Sequence, residues 1–153
     1  MRKCFKTKKF KLLVAAAVLI FTFWNVAQYA IPRQLGNRVS DVEWIGITYS
    51  ELTVTDNRPN LNGNDFEFTA DNPQFQRIID VFDKYLYYGD YAKEMPTGQG
   101  GGELLLIVTD TGFGMTINTE TSKIKIGEKV YRMASKQETT RFINDIKAIV
   151  GIN

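Results

Sequence analysis

Glu103-Leu104-Leu105-Leu106-Ile107-Val108-Thr109, then Asp110-Thr111-Gly112, then Phe113-Gly114-Met115-Thr116-Ile117-Asn118 is the stretch that decides the fold of this chain. Its first seven residues are an almost continuous apolar run of strand length, which predicts a central strand covered on both faces. Asp, Thr and Gly supply turn chemistry, so residues 113–118 should return antiparallel to that strand. Further on, Lys123-Ile124-Lys125-Ile126 and Lys129-Val130-Tyr131-Arg132-Met133 flank Gly127-Glu128, a two-residue hairpin with Gly at its first central position. Residues 103–133 thus predict a four-strand antiparallel meander.

Helices bracket this meander. On its C-terminal side Ser135 and Glu138 form a capping box, Phe142, Ile143, Ile146, Ile149 and Val150 share one helical face, and Gly151 is the stop. On its N-terminal side Asn72 caps and Pro73 opens a second amphipathic helix of about 16 residues, with Phe75, Ile78, Ile79, Phe82 and Leu86 at helical spacing and Gly89 as its end. Before that helix, residues 41–55 have strand composition with a bend expected at Gly46, residues 56–65 read as a loop, and residues 66–69 as a short strand. Residues 91–102, with Pro96 and the glycine-rich run 98–102, read as another loop. The expected fold is α+β: an antiparallel sheet of about 5–6 strands, in the order β-β-α-β-β-β-β-α, packed by two amphipathic helices.

At the N-terminus, residues 12–32 carry no formal charge and span roughly 30 Å as a helix, enough to cross a bilayer. Arg2, Lys3, Lys6, Lys8, Lys9 and Lys11 precede that run with no acid among them, so the positive-inside bias keeps residues 1–11 cytoplasmic and the rest outside. Trp24 and Tyr29 then fall toward the outer interface. Cleavage after Ala30 would leave Gln28 at the −3 position, and cleavage after Ala27 would leave Asn25 there, so a retained signal-anchor is the preferred reading and secretion after cleavage the alternative. Residues 33–40 read as a stalk and residues 41–153 as one extracytoplasmic domain on a bacterial-type cytoplasmic membrane.

Outside the leader, 13 basic residues stand against 17 acidic ones, a net of −4. Nucleic acid is therefore not an expected partner, since its binding rests on Lys and Arg neutralising phosphate. The single cysteine, Cys4, precedes the apolar run, so the domain has neither a disulfide nor a thiol, and histidine is absent altogether. No cofactor and no metal is expected. Asn60, Asn62 and Gly63 match part of a calcium loop, but Arg58 and Thr69 occupy positions where oxygen ligands are needed. The glycine run leads into a strand and lacks the helix N-terminus that would cradle a phosphate.

Two candidate sites remain. Asp110-Thr111-Gly112 after a hydrophobic strand resembles the active-site triplet of aspartic peptidases, with Ile149-Val150-Gly151 resembling that family's downstream motif. That resemblance implies a small cell-surface hydrolase, a homodimer with one Asp110 from each subunit; a hairpin turn accounts for the same three residues. The second candidate is the cluster Tyr85, Tyr87, Tyr88 and Tyr91, of which Tyr87, Tyr88 and Tyr91 would form a platform for a protein, peptide or glycan. The leading functional expectation is a non-catalytic, membrane-anchored binding or accessory module. The alternatives are the Asp110 hydrolase and a structural subunit of a membrane complex contacted through Asn25 and Gln28.

Overall fold

A computed structural model describes residues 8–55, 58–95 and 102–152, in two compact units divided between Ile31 and Pro32. The first unit is helix α1, Lys8–Ala30, which has no buried residue. Two of its polar residues bond back to its own backbone: Thr22 Oγ1 donates to the Val18 carbonyl and Asn25 Nδ2 to the Phe21 carbonyl, each at 2.8 Å. Back-bonding of this kind lowers the cost of placing Asn25 in hydrocarbon. Cys4 and the basic residues before Lys8 lie outside the described residues.

The second unit is an α+β domain built on an eight-stranded, wholly antiparallel sheet, a larger sheet than the 5–6 strands expected. Its strands are β1 (Arg33–Gln34), β2 (Trp44–Thr55), β3 (Arg58–Thr69), β4 (Leu86–Gly89), β5 (Gly102–Thr109), β6 (Gly114–Asn118), β7 (Lys123–Ile126) and β8 (Lys129–Met133). Across the sheet they run β1-β4-β8-β7-β6-β5-β2-β3. Helices α2 (Pro73–Lys84) and α3 (Lys136–Val150) lie side by side on one face and enclose the core. Sheet residues Ile45, Ile47, Leu105, Ile107, Met115 and Ile117 meet Phe82 and Phe142 there, and all are essentially inaccessible to water.

The meander β5-β6-β7-β8 and both helix starts follow the sequence closely. Asn72 Oδ1 accepts from the Gln74 amide at 2.8 Å and Ser135 Oγ from the Glu138 amide at 3.2 Å. Gly151 closes α3 in the left-handed conformation at φ 82°, and Gly127 sits at φ 55° between β7 and β8. At the β5–β6 turn, Gly112 takes φ 79° and its amide bonds back to the Thr109 carbonyl at 3.1 Å.

Three expectations are corrected. First, α2 stops at Lys84 and residues 86–89 form β4, with Tyr87 opposite Met133 and Tyr88 opposite Arg132. Leu86 continues the helical spacing of α2, but Tyr85 and Tyr87 are two positions apart; with Tyr85 extended and Tyr87 paired to β8 both rings are buried, whereas a continued helix would strand one of them. Secondly, residues 58–65 belong to β3 rather than to a loop. As the edge strand it is paired only with β2, so it tolerates Pro59 and a polar composition that a central strand would not. Thirdly, residues 33–39 join the domain and are no stalk. Gln34 Nε2 donates to the Asp83 carbonyl at 2.9 Å and the Leu35 amide to the Tyr85 carbonyl at 3.1 Å, closing the C-terminal end of α2 while Leu35 and Val39 enter the core. Gly36 is needed at this contact, because a Cβ there would overlap the Asp83 carboxylate.

Candidate binding face

Because antiparallel partners share a face, the ladder fixes which side chains stand on the side of the sheet opposite the helices. One row runs Asp65, Thr48, Leu106, Thr116, Lys125, Val130 across β3, β2, β5, β6, β7 and β8, and its last member, Val130, is buried. The neighbouring row runs Glu67, Gly46, Val108, Gly114. Leu106 and Val108 are each 38% exposed although β5 lies well inside the sheet. The expectation of a strand covered on both faces thus holds for only one: two helices cover one side, and β5 carries leucine and valine on the other. Trp44 extends this apolar strip. A Cβ built on Gly46 would meet the indole of Trp44 at 2.7 Å and Val108 Cγ2 at 3.1 Å, so Gly46 marks no bend but a bed over which the ring lies toward Val108. The strip is bordered by acids on β3 and by lysines on β7.

The tyrosines divide between core and surface. Tyr85 is buried and donates to Asp145 Oδ2 at 3.0 Å; burial first, and this bond second, push its phenol above the ordinary range. Tyr87 is buried edge-on against Tyr131, with ring centroids 5.0 Å apart, and its hydroxyl accepts from Arg38 Nε at 2.9 Å. Tyr88 stands on the open face with the Arg132 guanidinium 5.1 Å from its ring centroid, and Tyr91 is 76% exposed. Of the three residues read as a platform, the structure leaves Tyr88 and Tyr91 at the surface. Beside Tyr88, Asp90 bonds Lys123 Nζ at 3.1 Å and takes the Ala92 amide at 2.7 Å. Burial pushes the Asp90 carboxyl up, but these two donors outweigh it and hold it below the usual range.

Asp110 occupies the exposed β5–β6 turn, where its carboxylate accepts the Glu43 amide at 3.1 Å and ties the start of β2 to the turn. The triplet is thereby accounted for by local structure. Among the described residues no group of three or more His, Cys, Asp and Glu side chains is placed to hold a metal ion. Residues 98–101 of the glycine run lie outside the described residues.

No family model, curated protein or solved structure matches this chain.

One polar cluster was not anticipated from sequence. Glu103 on β5, Tyr49 on β2 and Lys147 on α3 meet at the margin of the core. The Tyr49 hydroxyl donates to Glu103 Oε1 at 2.7 Å, the Lys147 ammonium donates to the same oxygen, and it lies 5.0 Å from the Tyr49 ring centroid. Burial pushes the Glu103 carboxyl up, but the Lys147 and Tyr49 bonds outweigh it and lower it. The Glu103 bond raises Lys147 against its own burial, and burial followed by the Glu103 bond raises Tyr49. A catalytic tyrosine or lysine needs its pKa brought down toward neutrality. Here both are held protonated, so the cluster is a latch fastening α3 to β2 and β5. The lowered Glu103 contributes stability above its unfolded pKa that is lost as pH falls through the folded value; the raised Lys147 contributes below its unfolded pKa and loses that as pH rises through the folded value. Glu103→Gln should therefore cost about 1–2 kcal/mol near neutral pH, less than a fully buried pair would. In urea titrations at several pH values, its deficit relative to the parent should shrink toward acid.

Proposed function

We propose that the chain is a membrane-anchored, extracytoplasmic binding module, and that the open face of its sheet is the surface through which it engages a protein. Helix α1 supports the anchor, being long and apolar enough to cross a membrane. The basic residues before Lys11 support placing the domain outside. The observation that carries the binding role is the exposure of Leu106 and Val108 on a strand flanked by neighbours on both sides, with Trp44 extending the same apolar strip. A polar rim around an apolar centre is the common build of a protein interface. The longer row crosses the sheet from β3 to β8, wider than one extended peptide would cover.

A photo-activatable residue at position 106, compared with one at the exposed Gln76 on α2, tests this in intact membranes. Protein adducts should form from position 106 and not from position 76. Equal labelling at the two positions, or none at 106, would contradict the binding face.

A further inference from the structure

The open face is complementary to itself, and we infer that its partner is a second copy of this chain, stacked sheet on sheet about a two-fold axis parallel to the strands and passing over β5. This inference rests on the reading of that face as a binding surface and adds the identity of what covers it.

Leu106 is flanked by Thr48 and Asp65 on one side and by Thr116 and Lys125 on the other, in a row that runs on to the buried Val130 of β8. A two-fold parallel to the strands and over β5 exchanges these two flanks, Asp65 and Thr48 against Lys125 and Thr116, and leaves Val130 outside the overlap. It sets Leu106 on Leu106, Thr48 on Thr116, and Asp65 opposite Lys125 in both directions. A two-fold perpendicular to the strands within the interface would instead place Asp65 on Asp65. Lys125 is available for such a pair, since its own link to Glu128 is 3.7 Å long and Glu128 is almost fully exposed.

The adjacent row gives the same answer by shape. The exchange sets Gly46, with the Trp44 ring lying over it, opposite Gly114 of the second copy. A Cβ at Gly114 would meet nothing within 4 Å, so each chain presents one indole as a knob and one bare strand position as the space for it. The operation also suits two chains held in one membrane. Arg33 enters the sheet opposite Tyr87, beside Met133 at the end of β8, and a two-fold parallel to the strands leaves the entry points of both copies at the same end. Apolar centre, charge order and chain entry thus agree on one operator. Aligned stacking of two twisted sheets at about 10 Å is an ordinary way to bury such faces.

The test uses the full chain in membranes, with Cys4→Ser to remove the native thiol, co-expressed under two different tags. Oxidation of Leu106→Cys should convert most of the protein to a species of twice the chain mass carrying both tags. Gln76→Cys should give less than a tenth of that yield. Adding Gly114→Arg, where a side chain has room within its own chain, should cut the Leu106→Cys yield at least fivefold without changing membrane content or protease resistance. Equal yields at positions 106 and 76, or indifference to Gly114→Arg, would overturn the two-fold. An adduct at 106 carrying one tag and a different mass would overturn the self-partner but keep the binding face, and no adduct of any kind would overturn both.

Discussion

Removal of residues 1–31 moves the protein from the membrane pellet to the soluble fraction and leaves the domain folded. The division after Ile31 is where the chain separates into two compact units, and the second has its own core from Leu35 to Ile149. No residue of that core lies in α1, so the deletion leaves the core complete. The expected result is near-complete release after an alkaline carbonate wash, where the full chain stays with the membrane, together with a mixed helix and sheet circular dichroism spectrum and a single cooperative melt. A full-length protein recovered in the medium with a shortened N-terminus would show instead that α1 is a cleaved leader, and mass spectrometry of the purified chain distinguishes the two.

The second large effect lies in the core. Phe82 is fully buried where α2 meets α3, edge-on to Phe142 at 5.4 Å and to Phe113 at 6.3 Å between centroids. Phe82→Ala removes the ring from a contact between both helices and the β5–β6 turn, and should cost about 3–5 kcal/mol. A domain of this size is stable by about 5–15 kcal/mol, so the variant keeps a fraction of that margin at best. Thermal denaturation of the soluble domain should show a midpoint lower by roughly 10–25 °C. Phe82→Leu, which keeps most of the volume, should recover more than half of the loss. A midpoint unchanged by Phe82→Ala would mean that the two helices do not share the core described.

How much of this was legible in the sequence depended on whether a signal was local. The meander was, because its turns rest on residues a few positions apart: Gly112 and Gly127 take the left-handed conformation their turns require. So were the starts of α2 and α3, each fixed by one side chain accepting one nearby amide. The edge strand β3 was not, since residues 58–65 have loop composition and are held straight by β2 alone. Nor was β4, where Leu86 continued the helical spacing, Tyr85 and Tyr87 the alternating one, and only the distant β8 selected between them. The Glu103–Tyr49–Lys147 latch joins residues up to 98 positions apart and left no mark on sequence spacing. The open face was half legible. Leu104, Leu106 and Val108 announced an apolar outer side to β5, and a fold with two amphipathic helices on one side of the sheet leaves the other without a helical cover. What sequence could not supply was register: that Trp44 lies over Gly46 against Val108, and that Asp65 and Lys125 stand equidistant from Leu106.

The most direct test of a membrane-anchored domain that works through its open sheet face is thiol accessibility. Leu106→Cys and Glu94→Cys, each in a Cys4→Ser background, are treated with a membrane-impermeant maleimide in sealed right-side-out vesicles, and again after detergent solubilisation and dilution. Glu94 is exposed on the segment following β4. The account predicts that position 94 reacts in sealed vesicles, and that position 106 is protected there and becomes reactive once the protein is solubilised and diluted. Silence at position 94 until the membrane is breached would place the domain on the wrong side, and prompt labelling of position 106 in sealed vesicles would mean that nothing covers the face.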